Sequence, residues 1–268
     1  MPEILTMPFV WHAFAAGALI AVAVGIVGPL VMANRMTFMS GGIAHAAYGG
    51  VGAAIFFGFS ILEGALAAAI LAALAVALIS WRMRHRADTI IGIVWAVGMA
   101  TGVVLTDMTP GYHPDLMSFL FGSILTVDRA DLWLLAGFDL LLLTLVWRYY
   151  YDFLALSFDP VFARLQGVAT RRLYLLLLVL VALTVVLSMR LVGLIMVIAL
   201  LTMPGFAAER HTRSLWGMMG LSVLLSLGYI LGGLALAYRF DLSSGASVIL
   251  LAAFGTITLF LMKARKGR

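Results

Sequence analysis

The side chain best suited to do chemistry in this sequence is an imidazole, that of His45, in the stretch Met36 to Ala54, MTFMSGGIAHAAYGGVGAA. Imidazole titrates near neutral pH and is a common ligand of divalent metals. Here it sits in a run otherwise made of glycine, alanine and apolar residues. On a helix, Gly41 and Gly49 lie four residues to either side of it, Gly42 and Tyr48 three, and Gly52 seven, so all share its face. Residues this small let a second backbone approach closely, or leave room beside a ligand group. An ionisable side chain within a membrane-spanning run is a functional candidate. A histidine there can equally act as packing glue, its ring bonded to a carbonyl of a neighbouring helix. The residues alone leave both readings open.

The elements that must position His45 follow from composition. The chain has 268 residues, of which 64% are hydrophobic and 11% charged, and its mean hydropathy is +1.12. That balance predicts an all-α fold, a polytopic helical bundle in a membrane. Apolar runs at about 9–32, 40–59, 61–80, 89–106, 131–150, 172–188, 191–208, 214–237 and 245–262 give about nine spans. Eight result if 191–208 or 40–59 fails to cross. A single transmembrane domain over 1–268 leaves no room for a sizeable soluble one. The basic residues set the orientation. With the N-terminus outside and the C-terminus inside, all of the 17 Lys and Arg except Arg129, Arg190 and Arg239 face the cytoplasm. The net charge of +5 is therefore read as a topology signal, with no nucleic-acid partner expected. There is no cysteine, so no disulfide or thiolate metal site. The N-terminus lacks a basic n-region and leads into the first helix.

Between the spans, Asp107 to Asp131 falls outside and contains Leu116 to Val127, an apolar stretch too short to cross and suited to a half helix. His113 in that segment is either a cation contact or a solvated loop residue. The longest inner segment is Tyr151 to Arg172. There Asp159 and Pro160 read as an N-cap and first helical residue, Phe162, Leu165 and Gln166 follow at helical spacing, and Gly167 ends the turn. Such a short amphipathic helix lies on lipid headgroups or inserts into a cleft on a partner protein. Arg190 reads as a tight external turn, Pro204 and Gly205 as a bend or helix end, and Asp241 with Ser243, Ser244 and Gly245 as another external turn. Asp139 falls inside the fifth span, as a bonded interior residue or part of an ion path. The sequence contains no GxxxxGK[ST] loop and no HExxH. We therefore expect no enzyme here and no ATP hydrolysis by this chain.

Four segments resemble the permease subunits of ABC importers for zinc, manganese and iron: RMTFMSGGIAHAAYGGVGAA at 35–54; DTIIGIVWAVGMATGVVL at 88–105 leading to DLMSFLFGSILTV at 115–127; ALSFDPVFARLQGV at 155–168 continuing through RLVGLIMVIALLTMPGFAA at 190–208; and DLSSGASVILLAA at 241–253. The resemblance implies a homodimer in the bacterial cytoplasmic (inner) membrane. Its partners would be a separate cytoplasmic ATP-binding subunit, an external metal-binding receptor and the surrounding lipid. No cofactor is bound by this chain; the divalent metal is substrate, and ATP sits on the partner subunit. It also implies a coupling helix near 158–168, with Asp159, Phe162, Ala163 and Gly167 meeting the ATPase. In the family the segment matching 40–45 usually reads Gly-Asp-x-x-Ser/Ala-His, and its Asp and His bind the passing metal. His45 matches the histidine, whereas Gly41 stands where the aspartate would be. Two His45 rings in a dimer would then supply the imidazoles, in a path lined by Ser40, Gly41, Gly42, Tyr48 and Gly49. Imidazole without carboxylate favours zinc over manganese. The alternative is a secondary metal carrier or channel without ATPase partners, for which only His45 and Asp139 offer intramembrane charge; a non-transporting assembly protein is a third.

Overall fold

The computed structural model describes residues 8–82, 87–110, 120, 122 and 127–266. Every regular element among them is helical. In chain order they are α1 (Pro8–Ala33), α2 (Thr37–Phe57), α3 (Ile61–Arg82), α4 (Ala87–Asp107), α5 (Arg129–Arg148), α6 (Tyr150–Phe158), α7 (Pro160–Leu165), α8 (Thr170–Val192), α9 (Leu194–His211), α10 (Leu215–Phe240) and α11 (Ser244–Lys266). Eight of them, α1, α3, α4, α5, α8, α9, α10 and α11, are long and apolar enough to cross a membrane. α2 has 21 residues, about 30 Å at 1.5 Å per residue, but is not among those eight. It is the element on which the expected count of nine or eight turns. His113 and the half helix expected at 116–127 lie outside the described residues, apart from Leu120, Gly122 and Val127.

The described helices fall into two compact units. One holds α1, α5, α9, α10, α11 and the end of α8 from Ser188. Its helices meet at glycines. A Cβ on Gly25 of α1 would stand 2.6 Å from the backbone of Val223 in α10, and one on Gly28 2.5 Å from the carbonyl oxygen of Leu201 in α9. α11 is tied to α9 by the Thr256 hydroxyl, which donates to the Met203 carbonyl at 3.3 Å. The Arg210 guanidinium at the end of α9 lies 4.0 Å over the Phe260 ring of α11. The other unit holds α2, α3, α4, α6 from Tyr151, α7, and α8 as far as Leu187. Trp133 and Trp147, near the two ends of α5, are both exposed, the placement of interfacial anchors in a bilayer.

Arg190, Asp139 and the helix-end reading of Pro204 and Gly205 come out differently from the sequence reading. Arg190 lies in the last turn of α8; the break between α8 and α9 is Gly193 alone, at φ +85°. That φ is accessible to glycine at little cost, which lets two apolar helices follow each other with one residue between. Pro204 and Gly205 sit inside α9, which runs on to His211. Asp139 is buried in α5, yet neither of its carboxylate oxygens has a hydrogen-bond partner among the described residues. Asp241 does form the expected turn, capping α10 in the left-handed region.

Arg190 is paired instead. Asp131, in the first turn of α5, takes the Arg190 guanidinium at 2.9 Å on one oxygen and the Asp128 backbone N–H at 3.4 Å on the other. The Asp131 N–H donates in turn to Asp128 Oδ1 at 2.8 Å, completing a capping box. That backbone hydrogen bond holds the Asp128 carboxyl below its ordinary 3.8. A depressed carboxyl contributes stability that is full above the ordinary value and is lost as pH falls through the lowered one. We expect the thermal midpoint of the protein to fall slightly more, on acidification below about pH 4, than that of Asp128→Asn. Asparagine still caps but carries no proton equilibrium. Parallel acid titrations of the two proteins by scanning calorimetry check this; identical pH profiles would exclude it.

Candidate functional site

α2 contains Gly41, Gly42, Gly49, Gly50 and Gly52 within one 21-residue helix. Each mid-helix glycine costs about 1 kcal/mol relative to alanine, so helix packing has to supply the compensation. It does so on two sides. Towards α4, a Cβ on Gly42 would stand 2.5 Å from Ile91 Cγ2 and one on Gly49 2.7 Å from the carbonyl oxygen of Gly98; one on Gly52 would strike Gly102. Towards α3, a Cβ on Gly50 would strike Gly64. Of the two uses small residues can have, most of the glycines therefore serve close backbone approach. Ser40, Gly41, Gly42, Tyr48 and Gly49 are all buried, and the Ser40 hydroxyl donates back to the Thr37 carbonyl at 2.7 Å.

Burial leaves His45 only 9% exposed. Its Nδ1 lies 2.8 Å from the Gly41 carbonyl oxygen, one turn earlier in α2. A carbonyl only accepts, so Nδ1 carries the proton and donates, and the lone pair of the neutral ring lies on Nε2. The carbonyl bond is thus made within His45's own helix, not to a neighbour. This is the arrangement by which a backbone acceptor orients a metal-binding histidine. The ring stacks on Trp95 of α4, centroids 3.8 Å apart and planes at 21°, and Phe38 lies 6.0 Å from the same indole. The Trp95 ring also covers Gly41, where a Cβ would stand 3.5 Å from Cζ3. No group of three His, Asp or Glu side chains is placed to hold a metal among the described residues. Trp95 did not stand out in the sequence. Its signal was positional: Gly98 and Gly102 follow it at three and seven residues, on the α4 face that closes on α2.

α7 is built as the sequence indicates. The Asp159 carboxylate accepts from the N–H groups of Val161 at 2.8 Å and Phe162 at 3.0 Å, and Pro160 opens the helix. At the other end Gly167, at φ +84°, donates to the Arg164 carbonyl, and Val168 donates to that of Ala163, both at 3.0 Å. This pair of bonds is the Schellman closure. Ala163 is buried on the inner side of the helix, whereas Phe162 is 57% exposed. Phe158 and Leu165 are more exposed still, at 84% and 81%. The sequence reading did not place Phe158 or Val161 among the functional residues, although Phe158, at the end of α6, and Val161, in α7, are both exposed.

Residues 6–263 match the ABC 3 transport family. Among similar proteins, an uncharacterized membrane protein of Synechocystis sp. is 47% identical, covering 94% of this chain and 90% of its own. A probable metal transport system membrane protein of Thermotoga maritima is 35% identical over 93% and 88%. The manganese transport system membrane protein MntC of Halalkalibacterium halodurans is 31% identical over 99% and 91%. Among solved structures, PsaBC from Streptococcus pneumoniae in complex with Fab contains a chain of TM-score 0.86 and 29% identity, over 97% of this chain and 93% of that one. An inward-facing conformation of a putative metal-chelate type ABC transporter shares the fold, with TM-score 0.74 at 20% identity over 94% and 85%. With eight apolar helices of spanning length and a family match along nearly the whole sequence, the chain belongs to the ABC 3 transport family, as a metal-transport permease of the bacterial cytoplasmic membrane.

Proposed function

We propose that this permease is the membrane subunit of an ATP-driven importer that moves a divalent metal cation, zinc ahead of manganese or iron. The observation that carries the proposal is His45, whose Nδ1–H is committed to the Gly41 carbonyl. Nε2 is thereby the nitrogen left to offer a lone pair. Two copies related by a dimer axis supply two such nitrogens, and Gly41 together with Tyr48 borders the ion's path. A site of few ligands suits transit, because an ion held tightly does not leave. The names of the relatives support a transition-metal cargo. Zinc is favoured here because the donor is imidazole, and position 41 lacks the carboxylate that would suit manganese.

On this reading the N-terminus is outside and the C-terminus inside, and α7 faces the cytoplasm. A separate ATP-binding subunit receives Phe162 there, with Asp159, Ala163 and Gly167 shaping the helix that carries it. An external receptor delivers the metal. In cells producing the permease with its ATPase, His45→Ala lowers zinc uptake at least about tenfold, the loss of about 1.4 kcal/mol or more of ion binding. Unchanged zinc and manganese uptake by His45→Ala would end the claim for this site.

A further inference from the structure

We propose that Trp95 is the positioning residue of the His45 site, its indole face fixing the imidazole so that a single nitrogen, Nε2, meets the passing divalent cation. The inference rests on the transit role of His45 proposed above and extends it to a second helix. Three observations in one helical unit carry it. The indole and imidazole are stacked 3.8 Å apart at 21°, closer and flatter than the tilted contact of Trp95 with Phe38. The hydrogen bond from Nδ1 to the Gly41 carbonyl fixes the ring's rotation about its own plane. Finally, the indole edge fills the space beside Gly41 that a longer side chain would need. Position 41 therefore contributes its carbonyl to the histidine, and the indole lies in ordinary van der Waals range of where its Cβ would stand.

Chemistry makes the stack more than filler. When a divalent cation takes the Nε2 lone pair, positive charge spreads over the imidazole, and an indole face against it is attracted to that charge. The same face excludes water from one side of the ring, so the imidazole cannot swing to a second rotamer without unstacking. A leucine at 95 would keep apolar bulk but lose the π face; a phenylalanine would keep a smaller one. Trp95 touches the ligand, not the ion, and acts through His45.

The test uses the assembled transporter and Co2+ alone as the probe. A paramagnetic cation seated on Nε2 lies beside the indole and quenches its emission. The quenching seen in the parent should be reduced in Trp95→Phe and in His45→Ala, whereas the other five tryptophans contribute equally to all three. Uptake should fall about tenfold in Trp95→Leu and stay within about twofold in Trp95→Phe. If His45→Ala abolishes uptake while Trp95→Leu transports like the parent, the role of Trp95 is overturned and that of His45 stands. If His45→Ala transports normally, the transit site itself falls. Should Trp95→Leu not assemble, Co2+ quenching decides: equal quenching in the parent and Trp95→Phe overturns the proposal.

Discussion

Replacing Phe162 with glutamate is expected to abolish metal uptake while leaving the permease as stable as its parent. The ring is 57% exposed on α7, so no intramolecular core is lost. Helix formation depends on the Asp159 cap and on the Gly167 closure, which the substitution leaves intact. Against a docked ATP-binding subunit the balance is different. Burying a phenylalanine is worth about 2 kcal/mol, and placing a charge in an apolar cleft costs a further 2 kcal/mol or more. Together these weaken association by about a thousandfold. Co-purification of the two subunits, stimulated ATP hydrolysis and uptake should fail together. Asp159→Ala should act in the same direction but more weakly, since a lost N-cap costs about 1 kcal/mol. A secondary carrier would transport undisturbed by Phe162→Glu, so normal uptake in that variant would remove the ATP-driven reading.

The second large effect lies in helix packing around His45. Gly50→Leu and Gly52→Leu are expected to yield little or no folded protein. The first new side-chain atom at either position would strike backbone of the neighbouring helix, Gly64 of α3 or Gly102 of α4. Backbone cannot rotate aside as the end of a long side chain can. Overpacking commonly costs 1–3 kcal/mol, and here two helix axes must separate, so the cost is about 3 kcal/mol or more. Gly92→Ala, on the same α4 but with nothing within 4 Å of the new methyl, is the contrasting substitution. It should be neutral or raise stability by about 0.5–1 kcal/mol through helix propensity. Yield after detergent extraction and the thermal midpoint of each variant measure this; a Gly50→Leu protein as stable as Gly92→Ala would show that the close helix crossing is unimportant.

The sequence made some of this legible and hid the rest, for physical reasons. Spans and short helix ends are local: α7 could be read at both ends because an N-cap, a proline and a left-handed glycine each act within one turn. Such signals also placed His45 on a small-residue face. What filled that face is a long-range fact. Trp95 is fifty residues further along, and no spacing within α2 indicates that α4 lays an indole on the imidazole. Arg190 shows the opposite error. A charge between apolar runs suggested a turn, but its partner Asp131 lies on another helix, and with that charge balanced α8 simply continues past it.

The paired notches of α2 and α4, Gly49 on Gly98 and Gly52 on Gly102, work like gear teeth. Sliding one rod along the other by a turn would drive bulkier residues such as Tyr48 into the seats that glycine now occupies. Register between these two rods is consequently locked, and any rearrangement that displaces His45 must carry Trp95 along as ballast.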